Sequence, residues 1–363
     1  MTGPLRIRAV TARLVRVPMR RPLHTSASRV TEAPLVLIDL DTEEGITGRT
    51  YIFCYLESAG HAAIALIRSL TPLLAGKPAE PAAVRRILHA HFKLLGVSGL
   101  VSSVLAGLDI VCWDALAMTA GLPLVRLLGG EPRRIPAYNS NGLGLLDPDT
   151  AAEEAGELAA EGFPAVKMRL GRSRPQDDLA AVRAVRRVLN QDVAIMADFN
   201  QALSLHEARD LCRRLDEEGL AWIEEPIRHD DYAGAAELSS MLRTPVQIGE
   251  NFAGPRAMAT ALAQRASDLV MPDVDRIGGV TGWLEATAFA EVAGVPVSNH
   301  LYPEVSAHLL ASTPTAHWLE YVDWAAPILV EPLAVSGGAV SPPERPGSGV
   351  QWDEDAVARY RVA

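Results

Sequence analysis

The sequence predicts an α/β fold: a (β/α)8-type, modified TIM barrel with an N-terminal α+β capping domain and a C-terminal segment that packs back on that domain. Three observations predict it. The chain has 363 residues, about twice the length of an ordinary domain. Its first third is typical of strands followed by helices. From about residue 131, β-rich runs alternate with helical segments, and polar residues end these runs 20 to 31 residues apart, the length of one strand–helix unit.

Composition excludes several classes of protein. Hydrophobic residues make up 48% of the chain and charged residues 21%, which is typical of a globular protein with a large core. The 34 basic residues are outnumbered by 44 acidic ones, and they occur in twos and threes rather than as a stripe. No nucleic-acid or anionic-membrane surface is therefore expected. An anionic substrate would have to be held locally, by a metal or a few cations.

The compartment is predicted from the cysteines and the apolar stretches. Cys54, Cys112 and Cys212 share no metal-binding or redox spacing, which favours a reducing cytoplasm. The N-terminus lacks the apolar core of a signal peptide, and Asp109 and Asp114 interrupt the most apolar later stretch. No export or membrane-spanning segment is therefore expected. Both aspartates are interpreted as structural residues of a helix.

The capping domain is expected to span residues 1–130. Residues 10–57 contain apolar, β-rich runs around a turn at 43–45, which predicts a β-meander. Helical patterns follow at 58–74, 81–94 and 101–120, and the last of them stops at Gly121.

The barrel is expected to span residues 131–324 and to contain eight strands. The β-rich runs that predict them are 136–140, 165–169, 193–198, 220–225, 246–250, 268–273, 295–300 and 318–320. Residues 325–363 are rich in proline and glycine and have no helical period before a short tail, so they form the predicted C-terminal segment.

Carboxylates end three consecutive strands of the predicted barrel. Asp198, Glu224 and Glu250 each follow an apolar run. Because the carboxyl ends of barrel strands converge on one face, where barrel enzymes carry their active sites, these side chains are expected to cluster. Three hard oxygen ligands suit Mg²⁺, which keeps positions open for water and substrate.

The other strand ends supply cations and acid–base groups. Lys167 and Arg169 lie two apart on the second strand and face the same side, which predicts a pair of cations beside the metal. Asp273 and His300 end adjacent strands, where the aspartate would fix the imidazole tautomer and leave the other ring nitrogen free as a base. Glu320, at the last strand end, is the remaining candidate acid.

With these residues in order, the chain resembles the enolase superfamily, and within it the mandelate racemase subgroup. The resemblance covers nearly the whole chain. It is carried by the segments 195–201 (IMADFNQ), 222–226 (WIEEP), 249–251 (GEN), 271–273 (MPD), 277–283 (IGGVTGW), 306–310 (SAHLL) and 314–320 (PTAHWLE). It implies a capping domain, a barrel and a returning tail.

The resemblance also implies roles for individual residues. One Mg²⁺ per subunit would be held by Asp198, Glu224 and Glu250, with support from Asn200 and Glu225. Lys167 would contact the substrate carboxylate, the Asp273–His300 dyad would be one base, and Glu320 would hydrogen-bond the carboxylate as it becomes an enediolate. Substrate choice would come from capping-domain loops at 22–31 and 51–55, and the implied substrate contacts are His24, Tyr55 and Asn200. A homo-oligomer is also implied, with an octamer as one form of it.

One position departs from the pattern of the subgroup. Mandelate racemases carry a second lysine, a base, where this chain has Arg169. Neutralising an arginine at pH 7 costs about 9 kcal/mol, against about 5 kcal/mol for a lysine, so a base at this position would be about 10³ slower or worse. Racemisation with two bases is therefore disfavoured.

The leading hypothesis is a Mg²⁺-dependent enzyme acting on a small 2-hydroxycarboxylate. His300 would remove the α-proton, Mg²⁺, Lys167 and Glu320 would stabilise the enediolate, and loss of a β-hydroxyl as water would give a 2-keto-3-deoxy acid, as in a sugar-acid dehydratase. One alternative is a mandelate-type racemase with Arg169 as an unusual second base. The other is a non-catalytic acid-binding or regulatory protein, which the metal triad and the dyad disfavour.

Overall fold

The N-terminal sheet shows both faces of a strand in use. A computed structural model describes residues 4–362, and its first three strands form an antiparallel sheet: β1 (Ile7–His24), β2 (Arg29–Thr42) and β3 (Thr47–Phe53). Side chains alternate along β2, so Val36 and Ile38 pack on the helices of the cap while Leu35 and Leu37 pack on the opposite face, in the core shared with the barrel. The predicted β-meander is confirmed.

Four helices follow this sheet: α1 (Glu57–Leu74), α2 (Pro81–His91), α3 (Gly99–Ala120) and α4 (Leu124–Leu127). Of these, α1 and α3 pack on the sheet. In the described part of the chain, α3 is the one helix long and apolar enough to cross a membrane, yet 67% of its apolar window is buried inside the protein. Its two buried aspartates face the protein too. Asp109 accepts hydrogen bonds from the backbone and hydroxyl of Thr281 at the start of a barrel helix, and Asp114 accepts from the backbone of Arg49 and Ser348. Such burial is typical of a core helix.

The barrel strands are β4 (Ile135–Asn139), β5 (Ala165–Arg169), β6 (Ala194–Asp198), β7 (Trp222–Glu224), β8 (Val246–Ile248), β9 (Leu269–Val270) and β10 (Leu319–Tyr321). They pair in parallel in the order β10-β4-β5-β6-β7-β8-β9. The helices between them are α5 (Pro148–Ala160), α6 (Pro175–Val188), α7 (Leu205–Leu215), α8 (Tyr232–Met241), α9 (Pro255–Ala263), α10 (Gly279–Ala293) and α11 (Pro303–Ala311). This is the predicted alternation of strand and helix.

The predicted strand at 295–300 differs from the other seven. It forms only isolated bridges, joining Val297 to Val270 on one side and to Ala316 on the other, and joining His300 to Asp273. Pro296 has no N–H to give to a ladder, which explains the interruption. The segment still closes the barrel and carries His300 to the same end as the regular strands.

The C-terminal segment contacts both of the other parts. It contains a 3-10 helix (Ala326–Ile328), strand β11 (Ala339–Val340), which pairs antiparallel with β4, and helix α12 (Glu354–Tyr360). Trp352 donates its indole N–H to Asp39 of β2 at 2.8 Å, and the backbone N–H of Val362 donates to Leu14 of β1 at 2.9 Å. The domain boundaries at residues 130 and 324 stay predictions.

Candidate active site

The three strand-end carboxylates meet at the carboxyl end of the barrel. Asp198 and Glu224 are the last residues of β6 and β7 and are paired in register, and Glu250 lies two residues beyond β8. One oxygen from each of Asp198, Glu224 and Glu250 lies within 4.8 Å of the others, and all three side chains are buried. The sequence predicted this cluster from strand spacing alone.

Neighbouring side chains hold these carboxylates in place. The backbone and side-chain nitrogens of Asn200 donate to the two oxygens of Asp198, at 2.7 and 3.0 Å. Asn200 adopts the left-handed region, with φ of 45°, where asparagine is among the more tolerant residues. The indole N–H of Trp222 donates to Glu224 at 3.1 Å. The ligand oxygens are therefore oriented before any cation binds.

Lys167 lies among the carboxylates, almost fully buried. Its ammonium is 3.0 Å from Asp198, 2.5 Å from Glu224 and 3.1 Å from Glu320. Burial alone would lower the pKa of Lys167, but these three carboxylates outweigh it and hold the pKa well above its ordinary value. The lysine is a fixed positive charge at the floor of the site.

The donor set fits Mg²⁺. Carboxylates outnumber cations in this buried cluster, and burial raises the pKa of Glu224 to about 8 even though Lys167 opposes the shift. The raised pKa means that Lys167 alone does not compensate for the burial of the ionised carboxylate. A divalent cation would supply the additional positive charge. Hard oxygen donors with no thiolate or imidazole in the triad suit Mg²⁺ rather than a softer metal. Asp198, Glu224 and Glu250 are the metal site.

Asp273 and His300 form a dyad beside the triad. The Nδ1 atom of His300 is 2.6 Å from Asp273, and its Nε2 atom is 3.4 Å from Glu250. Burial would lower the pKa of His300, but the charge of Glu250 and the bond to Asp273 outweigh it and raise the pKa to about 9. Glu250 is also a metal ligand, so a bound cation would offset its negative charge. The pKa of His300 would then fall back toward its ordinary value, at which the imidazole can accept a proton.

Glu320 completes the ring of groups. It accepts hydrogen bonds from the hydroxyl of Ser140 at 2.8 Å and from the backbone of Leu301 at 2.8 Å. Burial would raise the pKa of Glu320, but the positive charges of Lys167 and His300 lower it to about 2. In this arrangement Glu320 accepts from both donors, and its part as the remaining candidate acid stays a prediction.

Arg169 makes its hydrogen bonds outside the triad. Its guanidinium donates to the backbone oxygens of Ser140 and Gly142, at 2.8 and 3.0 Å, and to the hydroxyl of Ser140 at 2.9 Å. Its Nε is buried without a hydrogen-bond partner among the described residues. Arg169 lies on the same side of β5 as Lys167, as expected, but most of its donors are already bound to backbone and hydroxyl oxygens.

A cavity of about 220 Å³ opens above these groups. The capping domain contributes Leu23, Thr25 and Tyr55 to its wall, as expected for the loops at 22–31 and 51–55. His24 does not line it, because alternation along β1 turns its side chain the other way, toward Gly144. The implied contact between His24 and substrate stays a prediction, and it has no support from the cavity wall. Asn200 and Tyr55 both line the cavity.

Several lining residues were missed from the sequence, and two of them contact groups of the site. Asn251 donates to both oxygens of Glu225, at 3.0 and 2.9 Å, and to Glu250 at 3.2 Å, so Glu225 lies behind the metal ligands. Arg276 donates to Asn251 and, at 3.1 Å, to the hydroxyl of Tyr55. A signal was present, since Asn251 directly follows a predicted ligand and Arg276 comes three residues after Asp273.

Comparison with known proteins identifies this arrangement. Residues 7–129 match the family of the mandelate racemase / muconate lactonizing enzyme N-terminal domain, and residues 150–356 match the enolase C-terminal domain-like family. The chain belongs to the mandelate racemase/muconate lactonizing enzyme subgroup of the enolase superfamily. It is an enzyme of that superfamily with a Mg²⁺ site formed by Asp198, Glu224 and Glu250.

Similar proteins include two solved structures with bound ligands and one dehydratase. An enolase from the alpha proteobacterium BAL199 with bound Mg is 45% identical, with a TM-score of 0.96, and the match covers 99% of this chain and 100% of that one. An enolase from Bradyrhizobium complexed with magnesium and mandelic acid is 42% identical, with a TM-score of 0.95 and all of both chains covered. The L-talarate/galactarate dehydratase of Salmonella typhimurium is 30% identical over 90% of this chain and 82% of its own length.

Proposed function

We propose that this enolase-superfamily enzyme removes the α-proton of a small 2-hydroxycarboxylate and then eliminates a β-hydroxyl as water, as a sugar-acid dehydratase does. The observation that carries the proposal is the asymmetry of the cavity. His300 and Arg169 both line it, but His300 has a ring nitrogen without a short hydrogen bond, whereas Arg169 gives most of its donors to Ser140 and Gly142. One positioned base is enough for dehydration, whereas racemisation needs a second.

Each residue has a task that its contacts support. The Mg²⁺ ion supplies Lewis-acid stabilisation of the charge that develops on the substrate carboxylate. Lys167, held at a raised pKa, adds a permanent positive charge on the same side. Glu320 is fixed by Ser140, and because two carboxylates in contact cannot both stay ionised, it takes up a proton when the substrate binds and donates a hydrogen bond to the substrate carboxylate.

In this mechanism His300 first accepts the α-proton and then donates it to the leaving group. Nε2 takes the α-proton, while the Nδ1 contact with Asp273 stabilises the imidazolium that forms. The electron pair of the broken C–H bond moves toward the carboxylate and then returns to expel the β-hydroxyl. The imidazolium gives its proton to that leaving group, so water departs and the enol product becomes a 2-keto-3-deoxy acid.

The test is to incubate the Mg²⁺-loaded protein in D₂O with aldonates, aldarates and mandelate. Expected results are keto-acid formation from an acid with a β-hydroxyl, and deuterium at the α-carbon of one configuration only. Arg169→Lys is the matched variant, because it keeps the charge and restores a plausible second base. We expect it to gain racemase activity that the wild type lacks.

A racemase is the second candidate, because a 42% identical relative is complexed with mandelic acid. In that case the native protein would racemise both mandelate enantiomers at ordinary enzyme rates and Arg169→Lys would give no gain. That result would overturn the preference for dehydration. We further propose that the enzyme works in the cytoplasm and that it is a homo-oligomer. Light scattering of the purified protein tests the oligomeric state.

A further inference from the structure

The hydroxyl of Tyr302 joins the capping domain to the barrel. It accepts a hydrogen bond from the backbone N–H of Phe53 at 2.9 Å, and it donates to a carboxylate oxygen of Asp275 at 3.2 Å. Phe53 ends strand β3 of the cap, and Asp275 follows Asp273 by two residues. Both Tyr302 and Asp275 are buried. One buried oxygen atom is therefore bonded both to the cap and to the loop after Asp273.

The loop that receives this bond also orients the base. Asp273 accepts hydrogen bonds from the backbone N–H groups of Asp275 and Arg276, at 2.7 and 3.1 Å. The other oxygen of Asp273 contacts His300 at 2.6 Å. A movement of Asp275 therefore changes the donors that hold Asp273, and through them the direction of the imidazole.

The cap contacts the same loop a second time. Arg276 donates to the hydroxyl of Tyr55 at 3.1 Å, and its guanidinium lies 5.5 Å from the centre of that ring. Phe53 packs on Tyr55, with 4.3 Å between the ring centres. The cap segment that closes over the cavity is thus tied to two consecutive residues of the loop, Asp275 and Arg276.

Backbone strain marks the segment that carries Tyr302. Leu301 and Tyr302 follow His300 directly, and both have φ of 50°, a left-handed conformation that non-glycine residues rarely adopt. Such a conformation persists only where the surroundings determine it. Here the backbone N–H of Leu301 donates to Glu320, and the hydroxyl of Tyr302 bridges the cap and the loop.

We propose that Tyr302 is a positioning residue that couples the closure of the cap over the substrate to the orientation of the Asp273–His300 dyad. Its hydroxyl transmits the position of β3 to Asp275. This inference rests on the proposed function, since it concerns the same proton transfer. It adds a residue that is neither a metal ligand nor part of the cavity wall.

The chain offers a closely matched control. Tyr51 stacks on Tyr302, with ring centres 5.2 Å apart, and its hydroxyl is also buried and hydrogen-bonded. That hydroxyl donates to Glu304 at 2.7 Å, away from the loop, and Tyr51 does not line the cavity although it begins the segment 51–55. Tyr302→Phe and Tyr51→Phe therefore each remove one buried hydroxyl from the same ring pair.

The experiment measures turnover and backbone exchange in the Mg²⁺-loaded protein. With an acid that the wild type deuterates, Tyr302→Phe should lower kcat by roughly tenfold at nearly constant KM, while Tyr51→Phe should stay within about twofold. The amides of residues 53, 275 and 276 should exchange about tenfold faster in Tyr302→Phe alone. The double variant with Tyr302→Phe and Asp275→Asn should have nearly the same kcat as either single variant, because both changes affect the same hydrogen bond.

Equal losses of kcat in the two tyrosine variants, or an unchanged kcat in Tyr302→Phe, would overturn the coupling. A wild type that deuterates none of the acids would refute the proposed function instead. The coupling would then be tested by amide exchange alone. Faster exchange of the amides of residues 53, 275 and 276 in Tyr302→Phe but not in Tyr51→Phe supports it, and equal exchange in both variants refutes it.

Discussion

Replacing His308 should change how the stability of the protein depends on pH. The ring is fully buried on α11, where Nδ1 accepts the backbone N–H of Val125 at 3.2 Å and Nε2 lies 3.1 Å from the backbone oxygen of Ser348. An N–H on one side and a carbonyl on the other require the neutral ring with its proton on Nε2. Protonation would place two donors face to face.

The magnitude follows from the pKa of this ring. Burial lowers the pKa of His308 from 6.5 to about 4. Because the unfolded chain takes up the proton first, the ring's contribution to the free energy of unfolding is complete above pH 6.5 and is lost as pH falls toward 4. About 2.5 pKa units correspond to about 3 kcal/mol.

The assay is denaturant unfolding of the wild type and of His308→Gln, from pH 7.5 to pH 4, in saturating Mg²⁺. We expect the variant to be the less stable at neutral pH, and the difference in free energy to shrink by about 3 kcal/mol on acidification. His206→Gln is the control, because that histidine is exposed, and its difference from the wild type should stay constant. A constant difference for His308→Gln as well would refute the reasoning.

Three further predictions concern the active site. Glu224→Ala should weaken Mg²⁺ binding at least tenfold in calorimetry while circular dichroism stays unchanged, because the residue is a ligand at the barrel rim; unchanged affinity would remove it from the metal site. His300→Asn should abolish α-proton exchange, and Asp273→Asn should lower it by less if the aspartate only orients the ring; wild-type exchange in His300→Asn would point to another base. Glu320→Gln should lower kcat more than it changes KM in steady-state kinetics, because the hydrogen bond from the carboxyl group strengthens as charge develops on the substrate carboxylate, and a pure rise in KM would contradict that role.

Strand spacing was enough to predict the metal ligands. Parallel strands that start together end together, and the pairing of Arg169 with Asp198 and of Asp198 with Glu224 keeps their side chains at one level. The same reasoning carried His300 to the correct end of the barrel, although its segment is not a regular strand. Periodicity therefore predicts at which end of the barrel the backbone of a site residue lies.

Periodicity does not predict which groups are contacted by the far end of a long side chain or by a side chain on a loop. Lys167 and Arg169 share a face, as expected, but the arginine extends to carbonyl oxygens after β4 that have no signature in the sequence. Asp275 and Tyr302 lie 27 residues apart and meet only through the closure of the barrel. Such contacts are tertiary, so no local pattern reports them.

The tail has a consequence for how the protein is made. The first two strands of the cap are completed by bonds from residues 352–362, since Trp352 reaches Asp39, Glu354 reaches Arg13, and Val362 reaches Leu14. A ribosome delivers the N-terminus first, so β1 and β2 leave it some three hundred residues before their partners. Contacts this distant in sequence form late and slowly. The capping sheet is therefore the last part of the nascent enzyme to acquire its full set of contacts.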